Sequence, residues 1–207
     1  MQFTPEDAAT LERIMRWRRD VRHFRPDPLG EARIERLRQA MDLAPSVGNA
    51  RPWRVIRVED AGLRRAVHDN FLAANAQARA GYAGDRLEAY DRLKLAGLDT
   101  APLQLAVFTV TEPDAGHGLG RRSIPATLQA STAMAIHTLW LAARADNLGV
   151  GMVSILAPDA IERLLDVPED WEFSAYLCIG HPEFMDDTPL LHRAGWQENH
   201  AHPWERR

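Results

Sequence analysis

Apolar residues recur along the chain at two spacings, and the switches between them outline its elements. Behind Thr4, the positions Ala8, Leu11, Ile14 and Met15 repeat at helical spacing. A threonine cap, Pro5 in the first turn and the acids Glu6 and Asp7 mark a helix start. The helix is expected to reach about Trp17, with those four residues inward. Pro26 and Pro28 then stop regular structure. Residues 31–43 resume the helical pattern with Ile34, Leu37, Ala40, Met41 and Ala44. Residues 45–52 form a turn-rich loop, and 53–58 alternate well enough for a strand. Residues 60–80 fit a helix around Leu63, Val67, Phe71 and Ala74. Residues 81–99 are polar, with Leu87, Tyr90, Leu93, Leu95 and Leu98 suggesting helical turns on a mobile surface segment.

The strongest strand signal is 103–111, with Leu105, Val107, Phe108 and Val110. A glycine-rich loop follows at 114–120. Residues 124–147 are the most apolar helix, hydrophobic nearly all round, which places it in a core or an oligomer interface. A strand at 150–156, a short helix at 159–165 and a strand at 173–179 complete the pattern. Residues 182–207, rich in His, Pro and charge, are expected to be an extended tail. Strands and helices in mixed order, without repeat or linker, predict one α+β domain over residues 1–207 with a mixed sheet flanked by helices.

Composition narrows the function classes. The chain has 207 residues, a length that favours one domain, and is 45% hydrophobic and 26% charged. Cys178 is the only cysteine, which excludes an internal disulfide, a cysteine zinc cluster and a CxxC redox pair. No run of 18 apolar residues exists, so no transmembrane helix and no membrane partner are expected. Glu6, Asp7, Glu12 and Arg13 stand where a signal peptide needs an apolar stretch, and a cytoplasmic location is expected. The net charge of -4 argues against a nucleic-acid partner. Lys94 is the only lysine among 25 basic residues. Six of the arginines, Arg13, Arg16, Arg18, Arg19, Arg22 and Arg25, fall in one short stretch.

Several segments carry candidate chemistry. Arg18, Arg19 and Arg22 flank a short extended piece and can converge on one phosphate, because guanidinium forks match phosphate oxygens. Asp20, buried in that positive field, should be held ionised. The same stretch also reads as a solvated basic run paired with surface acids. Ser46, Gly48 and Asn49 can contact a heterocycle or serve ordinary turn chemistry. The loop Gly116-His117-Gly118-Leu119-Gly120-Arg121 lacks the Gly-Lys-Ser/Thr ending of a phosphate loop and reads as a plain connection. Gly149 and Gly151 permit close approach of a ligand, and equally suit a helix end and strand entry. Ser154 is a lone hydroxyl in an apolar strand and needs a partner there. His200 and His202 lack the further ligands of a metal site, and no metal is expected. No GxSxG elbow or HExxH pair is present, and Cys178 reads as an inert core thiol.

Together the pieces resemble one family. The order is Arg-Arg-x-x-Arg-x-Phe at 18–24, Ala-Pro-Ser-x-x-Asn-x-x-Pro-Trp at 44–53, the apolar helix ending Asn-Leu-Gly-x-Gly at 147–151, and a C-terminal arginine, Arg193. This is similar to the nitroreductase-like FMN proteins. Arg-Arg-Asp-Val-Arg-His-Phe, Met152 to Leu156 and the Gly180-His181-Pro182 turn most resemble the flavin-destroying branch of that family. The resemblance covers about residues 10–196. Ordinary members commonly carry serine where this chain has Asp20, and glutamine where it has Arg51.

The resemblance implies a nitroreductase-like homodimer with FMN at the interface, to which the 124–147 helix contributes. It implies that Arg18, Arg19, Asp20, Val21 and Arg22 contact FMN, joined by Arg193, with Ser46 and Asn49 touching the flavin from their loop. Ser154 and Leu156 would lie beside the ring, and residues 81–99 would form a lid. The implied reaction is O2-dependent cleavage of reduced FMN, consumed as substrate, to 5,6-dimethylbenzimidazole and erythrose 4-phosphate. Asp20 is the candidate for proton transfer and Ser154 for hydrogen bonding to the flavin. A separate NAD(P)H-dependent flavin reductase would supply reduced FMN. The alternatives are an NAD(P)H-dependent nitroreductase or flavin reductase on the same fold, and a flavin-binding protein without catalysis.

Overall fold

The computed structural model describes residues 1–93 and 97–207; Leu95, expected in a helical turn, lies outside them. Four strands form one sheet: β1 (Trp53–Arg57), β2 (Leu103–Val110), β3 (Gly149–Val153) and β4 (Trp171–Gly180). Their order is β1-β2-β4-β3. Seven helices accompany them: α1 (Pro5–Trp17), α2 (Glu31–Asp42), α3 (Ala61–Arg79), α4 (Gly84–Arg92), α5 (Thr127–Ala145), α6 (Pro158–Leu164) and α7 (Leu190–Arg193). The expected α+β class holds. The expected mixed pairing does not: all three ladders are antiparallel. Among the described residues parallel pairing enters only at a single bridge, Asp20 to Val150, on the outer edge of β3. Helices between strands suggested crossovers, but two of them, α3 and α4, separate β1 from β2, and helix spacing alone does not fix strand direction.

The sheet is covered on both sides, so β2 is buried along its whole length. Alternation sorts its side chains. Leu103, Leu105 and Val107 join Leu37 and Met41 of α2 and Ile136 and Leu139 of α5 in one cluster. Ala106 and Phe108 join Val67 and Phe71 of α3, Ile161 of α6, and Tyr176 and Cys178 of β4 in the other. Each large side chain so buried stabilises the fold by roughly 1.5–3 kcal/mol. The polar side chains within the sheet are paired. Gln104 donates to the Leu98 carbonyl and accepts from the Tyr176 hydroxyl, both at 2.7 Å. Thr109 Oγ1 donates to Thr132 Oγ1 at 2.6 Å.

The first helix begins and ends where the sequence predicts, with Thr4 and Asp7 closing a reciprocal cap. Its inward face differs from expectation. Among the described residues none of α1 is buried; Ile14 is half-buried, while Leu11 and Met15 are 50% and 44% exposed. The helix packs on α5, and among the described residues its apolar stripe stays largely uncovered. α5 itself buries Leu128, Ala135, Ile136, Leu139 and Ala143, but leaves Met134 of its other face exposed. The C-terminal segment is also not simply extended. It makes one turn at α7, and among the described residues from Leu191 onward only Trp196 is not exposed.

Candidate active site

Residues 20–25 leave α1 as a strip woven between two neighbours. On one side the Val21 N–H donates to the Val150 carbonyl at 3.1 Å. On the other, Phe24 bridges Pro182, the Glu183 N–H donates to the His23 carbonyl at 3.0 Å, and the Arg25 N–H to the His181 carbonyl at 2.8 Å. The two glycines that begin β3 make this crossing possible. A β-carbon on Gly149 would meet the Val21 side chain at 2.8 Å. Gly149 thus makes room for the Val21 side chain, and Gly151 for the Val21 carbonyl. Asn147, in left-handed conformation with φ 59°, ends α5 just before them.

The strip fixes a carboxylate. Asp20 Oδ1 accepts from the Met152 N–H at 3.0 Å, and Oδ2 from Arg22 Nε at 3.0 Å. The expected burial of Asp20 is not observed: its side chain is 35% exposed, whereas that of Arg22 is 11% exposed. Pairing along the edge of β3 holds the backbone at the rim, so the side chain faces an opening. That opening is a cavity of about 70 Å³ lined by Arg19, Asp20, Val21, Arg22, Phe184 and Arg193, among others. Arg19 donates from Nε and Nη2 to the Asp187 carbonyl at 2.8 and 2.6 Å. Burial, with the Arg18 charge beside it, pulls the Arg19 guanidinium below the usual arginine range. Arg193 pairs with Asp186.

Arg19, Asp20, Val21, Arg22 and Arg193 thus come together. Arg18 does not join them. Its guanidinium lies 5.0 Å over the Trp140 ring of α5. Ser46 and Asn49 also stand apart. They precede β1, at one edge of the sheet, while Asp20 borders β3 at the other. Trp53 is in register with Thr109, and Val150, through Ile179, with Leu103. The two groups occupy opposite corners of the sheet, on the order of 20 Å apart from strand spacing and rise. The Ser46 hydroxyl accepts from the Arg51 N–H at 3.0 Å, and Asn49 is left-handed at φ 54°.

Two further expectations change. β3 ends at Val153, so Ser154 lies beyond the strand and is exposed rather than buried in it. Leu156 is buried in the α3/α6-side cluster, as a core residue. The glycine-rich loop at 116–120 packs on the Ser46 loop: a β-carbon on Gly116 would come 2.9 Å from the Gly48 carbonyl. Cys178 is buried in β4, and burial pushes its thiol up to about 12.

Sequence reasoning missed part of this neighbourhood. His23, Met185, Asp186, Thr188 and Leu190 also line the cavity, most of them from the segment expected to be an extended tail. Trp140 Nε1 and Arg144 Nη1, four residues apart on α5, are buried without a hydrogen-bond partner among the described residues. A tryptophan and an arginine at that spacing in an otherwise apolar helix were the available signal.

Comparison with known proteins identifies the family of the chain. The profile described as "Nitroreductase family" matches residues 15–181. A Rhodobacter capsulatus protein named 5,6-dimethylbenzimidazole synthase is 68% identical over 207 residues, covering 100% of both chains. A Rhodospirillum rubrum protein of the same name is 53% identical over 205 residues, covering 99% of this chain and 97% of its own. Among solved structures, an iodotyrosine deiodinase bound to FMN and 3-iodo-L-tyrosine superposes with a TM-score of 0.73 at 20% identity, covering 95% of this chain and 97% of that one. No helix among the described residues is long and apolar enough to cross a membrane.

Proposed function

This chain belongs to the nitroreductase family, and from that premise we propose that it is a 5,6-dimethylbenzimidazole synthase, which cleaves reduced FMN with O2 and releases erythrose 4-phosphate. Full-length relatives of that name support the activity. One geometric observation carries the reading to particular residues: Asp20 is fixed by Arg22 and the Met152 N–H at the wall of an arginine-lined cavity.

The donor set suits the phosphate end of FMN. Three guanidinium groups around one cavity match a phosphate dianion, and its volume of about 70 Å³ receives that end rather than the whole flavin. Arg19, Arg22 and Arg193 hold the phosphate, and Val21 lines the adjoining wall. Bound in its reduced form, the flavin supplies the electrons taken by O2 and the carbon of the product. Asp20 has a lone pair free on each oxygen beyond its two hydrogen bonds, so it can take a proton without leaving its place. Ser154, exposed at the end of β3, hydrogen-bonds the flavin, and Leu156 backs that loop from the core. The segment around α4 closes over the site and keeps water out.

Ser46 and Asn49 reach the flavin only from a second copy, because in one chain they sit at the opposite corner of the sheet. A homodimer joined over α1 and α5 supplies them. It also covers Leu11, Met15 and Met134 and brings acceptors near Trp140 and Arg144; Arg18, on Trp140, then serves the interface side of the site. A separate NAD(P)H-dependent reductase provides reduced FMN in the cytoplasm. Anaerobic mixing of the protein with chemically reduced FMN, followed by air, tests the reading. Appearance of 5,6-dimethylbenzimidazole by chromatography and mass supports it. Recovery of intact oxidised FMN from protein shown to bind the reduced form overturns it, and rapid NADPH oxidation would then identify a conventional reductase.

A further inference from the structure

Trp196 docks on α4 rather than on the sheet. Its ring meets Tyr82 edge-on at 5.5 Å and Tyr90 at 6.3 Å, and those two rings stack on each other at 4.8 Å. Arg86 of α4 stacks on the indole at 5.1 Å and donates from Nη1 to the Trp196 carbonyl at 3.0 Å. Tyr90 is held in turn by α3, its hydroxyl donating to Asn75 Oδ1 at 2.6 Å. An aromatic cluster of this kind adds about 0.5–1.5 kcal/mol per ring pair beyond its area burial. In a segment otherwise exposed, Trp196 is the anchor.

The same segment closes the arginine cavity. Asp186 pairs with Arg193, and its Oδ1 also accepts from the Thr188 N–H at 2.8 Å. The Arg193 N–H donates to the Pro189 carbonyl at 3.1 Å, and the Trp196 N–H to the Leu191 carbonyl at 2.9 Å. Arg193 and Trp196 therefore ride on one hydrogen-bonded turn. A dianion arriving in the cavity competes with Asp186 for Arg193 and with the Asp187 carbonyl for Arg19. Any resetting of that turn moves Trp196 with it.

We propose that Trp196 is a positioning residue, which couples phosphate occupancy at Arg193 to the order of α4. The inference rests on the proposed function only for the identity of the phosphate carrier. Amide hydrogen exchange of α4 is the test, read by mass spectrometry with inorganic phosphate, FMN or riboflavin as probe. In the wild type, phosphate and FMN slow exchange across residues 84–92 by roughly tenfold, and riboflavin, which has no phosphate, does not. Trp196→Ala abolishes that response while FMN titrated by fluorescence still binds, and Trp196→Phe restores it. An α4 that responds equally in Trp196→Ala, or that ignores bound FMN in the wild type, overturns the coupling and leaves the catalytic reading intact. A protein that ignores FMN in the titration, yet protects α4 with inorganic phosphate, sinks the flavin reading and supports the coupling.

Discussion

A β-carbon on Gly151 would lie 2.1 Å from the carbonyl oxygen of Val21. No rotation relieves that contact, because both partners are backbone. Gly151→Ala must therefore push the 20–25 strip off β3, at a cost of at least about 1–3 kcal/mol. Thermal melting should fall by roughly 5 °C or more, and flavin affinity should fall with it. Gly30→Ala is the comparison: nothing lies within 4 Å of a β-carbon there, so only its poorer capping of α2 should lower melting, and by less than Gly151→Ala does.

Asp20→Asn separates geometry from chemistry. The new side chain can still accept from the Met152 N–H, but its amide cannot accept from Arg22. Flavin binding should stay within a few-fold of wild type. Product formation should drop by about 100- to 10,000-fold, the usual worth of a placed acid or base. Single-turnover yields of 5,6-dimethylbenzimidazole would show it, and a full yield would remove Asp20 from the mechanism.

A site shared between two copies can be rebuilt from two damaged chains. Arg19→Ala and Asn49→Ala should each be nearly inactive alone. Mixed under conditions that exchange subunits, half of the dimers carry one intact site, so about a quarter of the wild-type activity should return. No recovery despite demonstrated exchange would place Arg19 and Asn49 in a site within one chain.

The element boundaries were legible because periodicity is a local property. α1, α2, α3, β2 and β4 fall within a residue or two of the sequence expectation. What failed was set by distant partners. Leu11 and Met15 have the spacing of a buried stripe, yet burial depends on a neighbour that one chain lacks. Ser154 looked interior because Val153 and Ile155 flank it, but β4 pairs with β3 only as far as Val153. Arg18 and Arg19 are adjacent and chemically identical; only the fold shows that one stacks on Trp140 and the other faces the cavity. The tail was misjudged because its fourteen-odd polar residues outvote the single indole that anchors it.

Alkaline pH should weaken the fold through its buried acids. Burial raises the Cys178 thiol from 9.0 to about 12, and the Tyr176 phenol moves in the same direction. In the unfolded chain the thiol ionises near its ordinary value, while in the folded chain it stays neutral. Its contribution is therefore complete below pH 9 and is lost progressively towards pH 12. Denaturant midpoints measured from pH 7 to 11 should decline above 9. Cys178→Ala should flatten part of that decline, and the native thiol should resist alkylation at pH 8.

The strip from Asp20 to Arg25 has partners at Val150 on one side and at His181 to Glu183 on the other. During synthesis none of these exists when the strip leaves the ribosome. At ordinary elongation rates the arginines wait roughly 8 to 30 s before residue 183 is even joined. For that interval they are loose cations on a nascent chain, next to an RNA surface of opposite charge. The arginine-rich end of the molecule is thus among the first parts made and the last to take shape.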